Sequence, residues 1–198
     1  MKWVQAGLAV LLVAGCSSPQ EETSAPQLTF NEIMKGEIDI RADEVWAIGN
    51  AAIDEEAGLD PAKMTDADWD KLAASSTSLQ QAALELAKLD PVVVVRPGVK
   101  IADEGVPGGD TAAEVQANID RNPQGMRDMA NTLAAHMAEL TRAAEAHDTE
   151  KAGPLINQLD GVCESCHLNY WYPSQKEMVE ELMNSGVVDP TTDEAPQP

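Results

Sequence analysis

Apolar residues recur at three- and four-residue spacing through most of this chain, a period that predicts amphipathic helices packed by one face. A first helix is expected over about 27–54, with Phe30, Ile33, Met34, Ile38, Val45, Trp46, Gly49 and Ile53 near helical spacing and a bend around Asp39 to Arg41. A second opens at Thr65, with Asp68 three residues on as in a capping box, and continues to Leu89 ahead of Pro91. Its buried stripe is Trp69, Leu72, Leu79, Ala83 and Leu86. A third begins near Thr111, must kink or restart at Asn122-Pro123, and carries Met126, Met129, Leu133, Met137 and Leu140 to about His147. A fourth starts near Thr149 and sets Leu155, Leu159, Cys163, Cys166 and Tyr170 on one face until Pro173 stops it. A short amphipathic helix, Gln175 to Met183, follows and is expected to pack outside.

No strand-like alternation stands out. Val92 to Val95 is the one β-branched run, and Pro91 and Pro97 bracket it as a short extended loop. It belongs to a Gly- and Pro-rich connection between the second and third helices, long enough to suggest a role of its own. Four amphipathic helices imply an all-α fold, an up-down four-helix bundle with a short C-terminal helix.

The ends of the chain read differently. Lys2 precedes an apolar stretch from Ala6 to Gly15, too short to span a bilayer and suited to a secretion signal. It ends Val13-Ala14-Gly15-Cys16, which resembles the lipobox of bacterial lipoproteins, where cleavage falls before the cysteine and lipid is attached to it. The bland alternative is an ordinary small-residue cleavage site with Cys16 incidental. Ser17 favours outer-membrane or other periplasm-facing anchorage, since an Asp there would suggest inner-membrane retention. The expected organisation is a signal over 1–15, a lipidated Cys16 with a polar tether over 16–26, a helical domain over 27–185 and an acidic tail over 186–198.

The formal net charge is −21, and removal of Lys2 with the signal makes it more negative. Such a surface repels nucleic acid and anionic membrane, so the membrane link has to be the lipid. It suits a redox partner protein with a basic surface, or serves solubility alone.

The chemistry sits in the fourth helix, as Cys163-Glu164-Ser165-Cys166-His167. C-x-x-C-H is the spacing of covalent haem attachment. On a helix Cys163 and Cys166 project from one face, where both thiols can add to the vinyl groups of one haem, and His167 can be the proximal iron ligand. A zinc site would need a further ligand pair, and only His136 and His147 remain, eleven residues apart. A thioredoxin-like site belongs in a βαβ setting that this chain lacks. A disulfide between Cys163 and Cys166 would leave His167 without a role.

A four-helix bundle with C-x-x-C-H on its last helix resembles the class II c-type cytochromes, the cytochrome c-prime family. Tyr170 matches the aromatic that this family carries three residues after the histidine, whereas Trp171 stands where a basic residue is usual. The run Cys163 to Pro173, with Met34, Asp39, Ala42, Asp43 and Trp46, is similar to an exported lipoprotein subgroup. The resemblance implies one covalently attached haem c, location in the bacterial cell envelope, and homodimers in many relatives. In low-spin members a Met near the start of the first helix is the distal ligand, and Met34 stands there.

Two readings of Met34 remain open: a thioether on iron, or a core residue on an apolar face. The first suits a monohaem carrier of single electrons. An open sixth position suits a five-coordinate protein that binds or senses gases such as nitric oxide or carbon monoxide. No general base or nucleophile pair stands beside the motif, so the expectation is a carrier and not an enzyme. Met126, Met129 and Met137 are expected in the core, His136 as a hydrogen-bonded or surface residue, and His147 as a cap-region residue. Trp46, Trp69, Trp171 and Tyr170 are expected to wall the haem pocket.

Overall fold

The computed structural model describes residues 27–54, 58–102, 104–106 and 108–185. The expected signal, Cys16, the tether and the acidic tail lie outside the described residues. The elements in chain order are α1 (Phe30–Ile33), α2 (Asp39–Ala52), β1 (Ile53–Asp54), β2 (Gly58–Leu59), α3 (Asp66–Ala87), α4 (Ala112–Arg121), α5 (Pro123–Glu145), α6 (Thr149–Cys166) and α7 (Lys176–Ser185).

Their starts are chemically marked. Thr29, Thr65 and Thr111 each accept from the backbone N–H three residues on, while Glu32, Asp68 and Glu114 return the bond to the cap. Those reciprocal pairs satisfy amide donors that a helix leaves open at its first turn. Asn122 caps α5 and Pro123 occupies its first turn, so the expected kink is a full break between α4 and α5. Pro173 ends the last helical stretch as expected, with Tyr172 at φ −143 and ψ 60.

Two helical stretches are not α throughout. Met34–Ile38 is a π-helical turn joining α1 to α2, and His167–Trp171 is another continuing α6. The irregularity expected around Asp39 to Arg41 therefore falls one turn earlier. The first helix also ends sooner than its apolar period suggests. Ile53 and Asp54 leave it and pair antiparallel with Leu59 and Gly58, a small hairpin that the sequence pattern missed. Strands of two residues are too short to show alternation.

The bundle follows from antiparallel neighbours. Ser75 on α3 donates to Glu44 on α2 at 2.9 Å. Thr77 and Thr141 meet between α3 and α5 at 3.5 Å, and Arg127, near the start of α5, donates to Leu89 O beyond the end of α3 at 3.3 Å. His136 on α5 bonds Leu155 O on α6 at 2.8 Å. Gly49 brings α2 against α6, where an added Cβ would stand 2.7 Å from Ile156. Each helix thus runs against its neighbours in an up-down-up-down ring, the expected architecture. Leu72, Leu79, Met126, Met137, Leu140 and Leu159 fill its core and are fully buried.

The long connection is a strap. Val93 O and Val94 O accept from Phe30 N and Asn31 N, covering the open end of the first helix. Gln116 on α4 clamps the strap from outside, accepting from Val94 N at 2.8 Å and donating to Val92 O at 2.9 Å. Arg96 adds a two-nitrogen ion pair to Glu32, which holds the Glu32 carboxyl at about 2 together with the Thr29 cap. The strap's role is therefore to fix where residues 30–38 lie, and those residues carry one wall of the site described next. α7 follows a 3-10 turn at Pro173–Gln175, with Met178 and Leu182 exposed. Among the described residues no helix is long and apolar enough to cross a membrane.

Candidate functional site

Between the first and last helices lies a cavity of about 390 Å³. α6 and its π extension contribute Val162, Cys163, Cys166 and His167; the first helical stretch contributes Phe30, Met34, Ile38, Asp39, Ala42, Asp43 and Trp46. Leu86 of α3 and Met129, Ala130 and Leu133 of α5 close the remaining side. The spacing explains the convergence. Met34, Ile38, Ala42 and Trp46 repeat every fourth residue, and Cys163, Cys166 and His167 share a face of α6 and its extension. Every residue that sequence reasoning put forward for iron or thioether chemistry lines this one cavity.

Both cysteines are free thiols. Burial is the main reason their pKa values rise, to about 12 at Cys163, where Asp160 and the other thiol add to it, and to about 11 at Cys166. Burial also lowers the pKa of His167, partly opposed by Glu164, Asp39 and Asp160. The shift favours the uncharged imidazole, the form with a lone pair to give. The pKa of Asp39 is raised, chiefly by burial; His167, when protonated, and Lys35 pull the other way. The cavity therefore offers two protonated thiols, an imidazole and the thioethers of Met34 and Met129 among mostly apolar walls. That donor set fits a covalently held haem, which needs thiols for its vinyl groups and an imidazole for its iron. It does not fit zinc: among the described residues no three His, Cys, Asp or Glu converge on one point.

His167 is the first residue of its π turn, and the turn closes with Tyr172 N donating to His167 O at 2.9 Å. The side chain of Tyr172 folds back as well. Its hydroxyl donates to Glu164 Oε2 at 2.6 Å and lies 3.2 Å from His167 Nδ1, with ring centroids 5.5 Å apart. Burial and the bond to Glu164 both raise the phenol pKa, so it keeps its proton. This pair was not singled out from sequence, although Pro173 is a signal for it. A residue before proline is driven out of the helical region, which turns Tyr172 back along its own helix.

The aromatic expectations divide. Trp46 walls the cavity. Trp69 does not: it stacks on His147 at 5.2 Å, where His147 sits beyond the end of α5 at φ 51. Trp171 stacks on Phe30 at 5.6 Å, one ring behind the lining. Tyr170 is buried against the start of α5, its hydroxyl donating to Asn122 O at 3.2 Å while its own carbonyl accepts from Asn118 at 3.1 Å. These three side chains were assigned to the wall because aromatic residues on a buried face look alike in sequence. The methionines divide too. Met126 and Met137 are core, but Met129 is half-buried and lines the cavity, a second thioether that periodicity alone had placed in the core. His136 is hydrogen-bonded, as expected.

Gly125 allows Tyr170 to dock. A Cβ there would stand 2.6 Å from Tyr170 Oη and closer still to the Asn122 side chain. Gly125→Ala is expected to cost about 2 kcal/mol, overpacking and a weakened cap outweighing the helix propensity gained. Urea unfolding of the purified protein, against Gly161→Ala as a control with open space around it, checks the value.

A family model described as Cytochrome C' matches residues 99–171, which takes in α4, α5, α6 and the C-x-x-C-H. That family holds haem c covalently, and its members are typically periplasmic or extracellular electron carriers or gas-binding proteins. No curated protein and no solved structure matches the chain.

Proposed function

We propose that this chain, a class II c-type cytochrome of the cytochrome c-prime kind over residues 99–171, carries single electrons in the bacterial cell envelope. One observation carries the reading: Cys163, Cys166, His167 and Met34 all line a single, mostly apolar cavity. The haem, when bound, supplies a one-electron iron couple. Cys163 and Cys166 would hold it through two thioethers, each thiol's S–H adding across a vinyl double bond, and His167 and Met34 would be the iron's protein ligands. Phe30, Ile38, Trp46, Leu86 and Leu133 exclude water around it, which limits the reorganisation that accompanies a change of charge.

The remaining parts of the reading come from the ends and the surface. Residues 1–15 direct export and Cys16 takes the lipid, leaving the bundle tethered to a membrane face in the periplasm, with the outer membrane favoured by Ser17. The net charge of −21 favours a redox partner with a basic docking surface and an association rate that falls with salt. Pairing into homodimers is the last part of the proposal.

The test is an absorption spectrum of the exported, haem-loaded protein in both oxidation states. Low-spin bands with a methionine-to-iron charge-transfer feature are expected. High-spin bands with rapid carbon monoxide binding would replace electron transfer with the gas-binding function of an open sixth position. A colourless protein from a host that matures other c-type cytochromes would remove haem altogether.

A further inference from the structure

Building on the haem reading above, we infer that Tyr172 and Glu164 are positioning residues for His167: the Tyr172 hydroxyl relays the Glu164 carboxylate to Nδ1, fixes the ring tautomer and strengthens the imidazole as an iron ligand. The argument is one of proton counting. A phenol has one hydrogen, and at 2.6 Å from Glu164 Oε2 that hydrogen is committed to the carboxylate, an acceptor only. The phenol oxygen facing Nδ1 at 3.2 Å can then only accept. Nδ1 therefore carries the ring hydrogen and Nε2 carries the lone pair. That is the tautomer in which Nε2 is the donor atom.

Backbone and side chains agree on this arrangement. The i+5 bond from Tyr172 N to His167 O closes the π turn, and Pro173 holds Tyr172 out of the helix, so its ring returns over the imidazole. Glu164 stands three residues before His167 on the same face, with its carboxylate a further 3.9 Å from Nδ1. Outer partners of a ligating histidine orient the ring and raise its basicity. A more basic imidazole favours the ferric over the ferrous state, so the relay holds the reduction potential down.

A double-mutant cycle on the potential of the full, haem-loaded protein decides the matter. Tyr172→Phe keeps the ring and removes its oxygen. It should raise the midpoint potential, moving the ferrous-to-ferric ratio at fixed potential by about tenfold, or about 59 mV for one electron. Glu164→Gln should raise it in the otherwise unchanged chain and add little in the Tyr172→Phe background, because the carboxylate acts through the phenol. In the low-spin ferrous form, which is diamagnetic, the Nδ1 proton of His167 should exchange with solvent slowly, and faster in Tyr172→Phe. An unchanged potential in Tyr172→Phe, or an equal Glu164→Gln shift in both backgrounds, would overturn the relay. Either result on a protein with covalent, histidine-ligated haem leaves the cytochrome reading intact. Failure of the unmutated protein to hold haem would instead sink that reading.

Discussion

The double variant Cys163→Ala, Cys166→Ala is expected to retain no haem-sized mass after acid denaturation, whereas the unmutated protein should retain one. The two thiols line the same cavity as His167 and sit one helical turn apart, so each has a vinyl group to meet, and among the described residues there is no other cysteine. Without them the iron keeps axial ligands only. Acid protonates the imidazole and releases a porphyrin held in that way. Each single variant should keep one thioether, and its pyridine haemochrome should shift to the red because one vinyl stays conjugated. The double variant is also expected to lose stability, because a tether keeps the haem at high effective concentration beside its cavity whereas an untethered haem is lost to dilution. Circular dichroism separates a folded, haem-free bundle from one that has not formed. Covalent haem surviving in the double variant would overturn the assignment of Cys163 and Cys166.

Met34→Ala is expected to convert the spectrum from low to high spin and to open the iron to carbon monoxide. Met34 begins the π turn of the first helix, His167 begins the one that continues α6, and both line the cavity. Single π turns inside longer helices recur at functional sites, since the extra residue re-aims the side chains that follow. A thioether favours the ferrous state, so its loss should also lower the reduction potential. Met129 is the built-in control, a second thioether on another wall. Met129→Ala should leave the spectrum low-spin. If it abolishes the low-spin bands and Met34→Ala does not, the distal ligand is Met129. If neither changes a high-spin starting spectrum, the sixth position is open and the gas-binding function stands in place of electron transfer.

How much of this was legible beforehand depends on whether the signal was local. Capping at Thr65, the break at Pro123 and the stop at Pro173 are local, because a side chain bonding its own backbone or a missing N–H acts within four residues. The core stripe of α3 was legible for a related reason: Trp69, Leu72, Leu79, Ala83 and Leu86 have nowhere else to go on one helical face, and all are buried. The π turns at Met34 and His167 were not legible, since their cost is recovered only by what they face across the bundle. The strap was not legible either. Val92 to Val95 read as a loop, while its partners Phe30, Asn31 and Gln116 lie more than twenty residues away in sequence.

By itself the sequence determined an all-α chain with four main amphipathic helices and a C-x-x-C-H on the last of them, because helical period and covalent spacing are properties of neighbouring residues. The tertiary structure alone decided that Met34 and Met129, but not Trp69 or Trp171, border those cysteines, and that Tyr172 turns back onto His167. Which of several similar side chains reaches a cavity depends on the rotation and axial position of each helix against its neighbours. Those are set by close approaches such as Gly49 on Ile156, made between residues far apart in the chain.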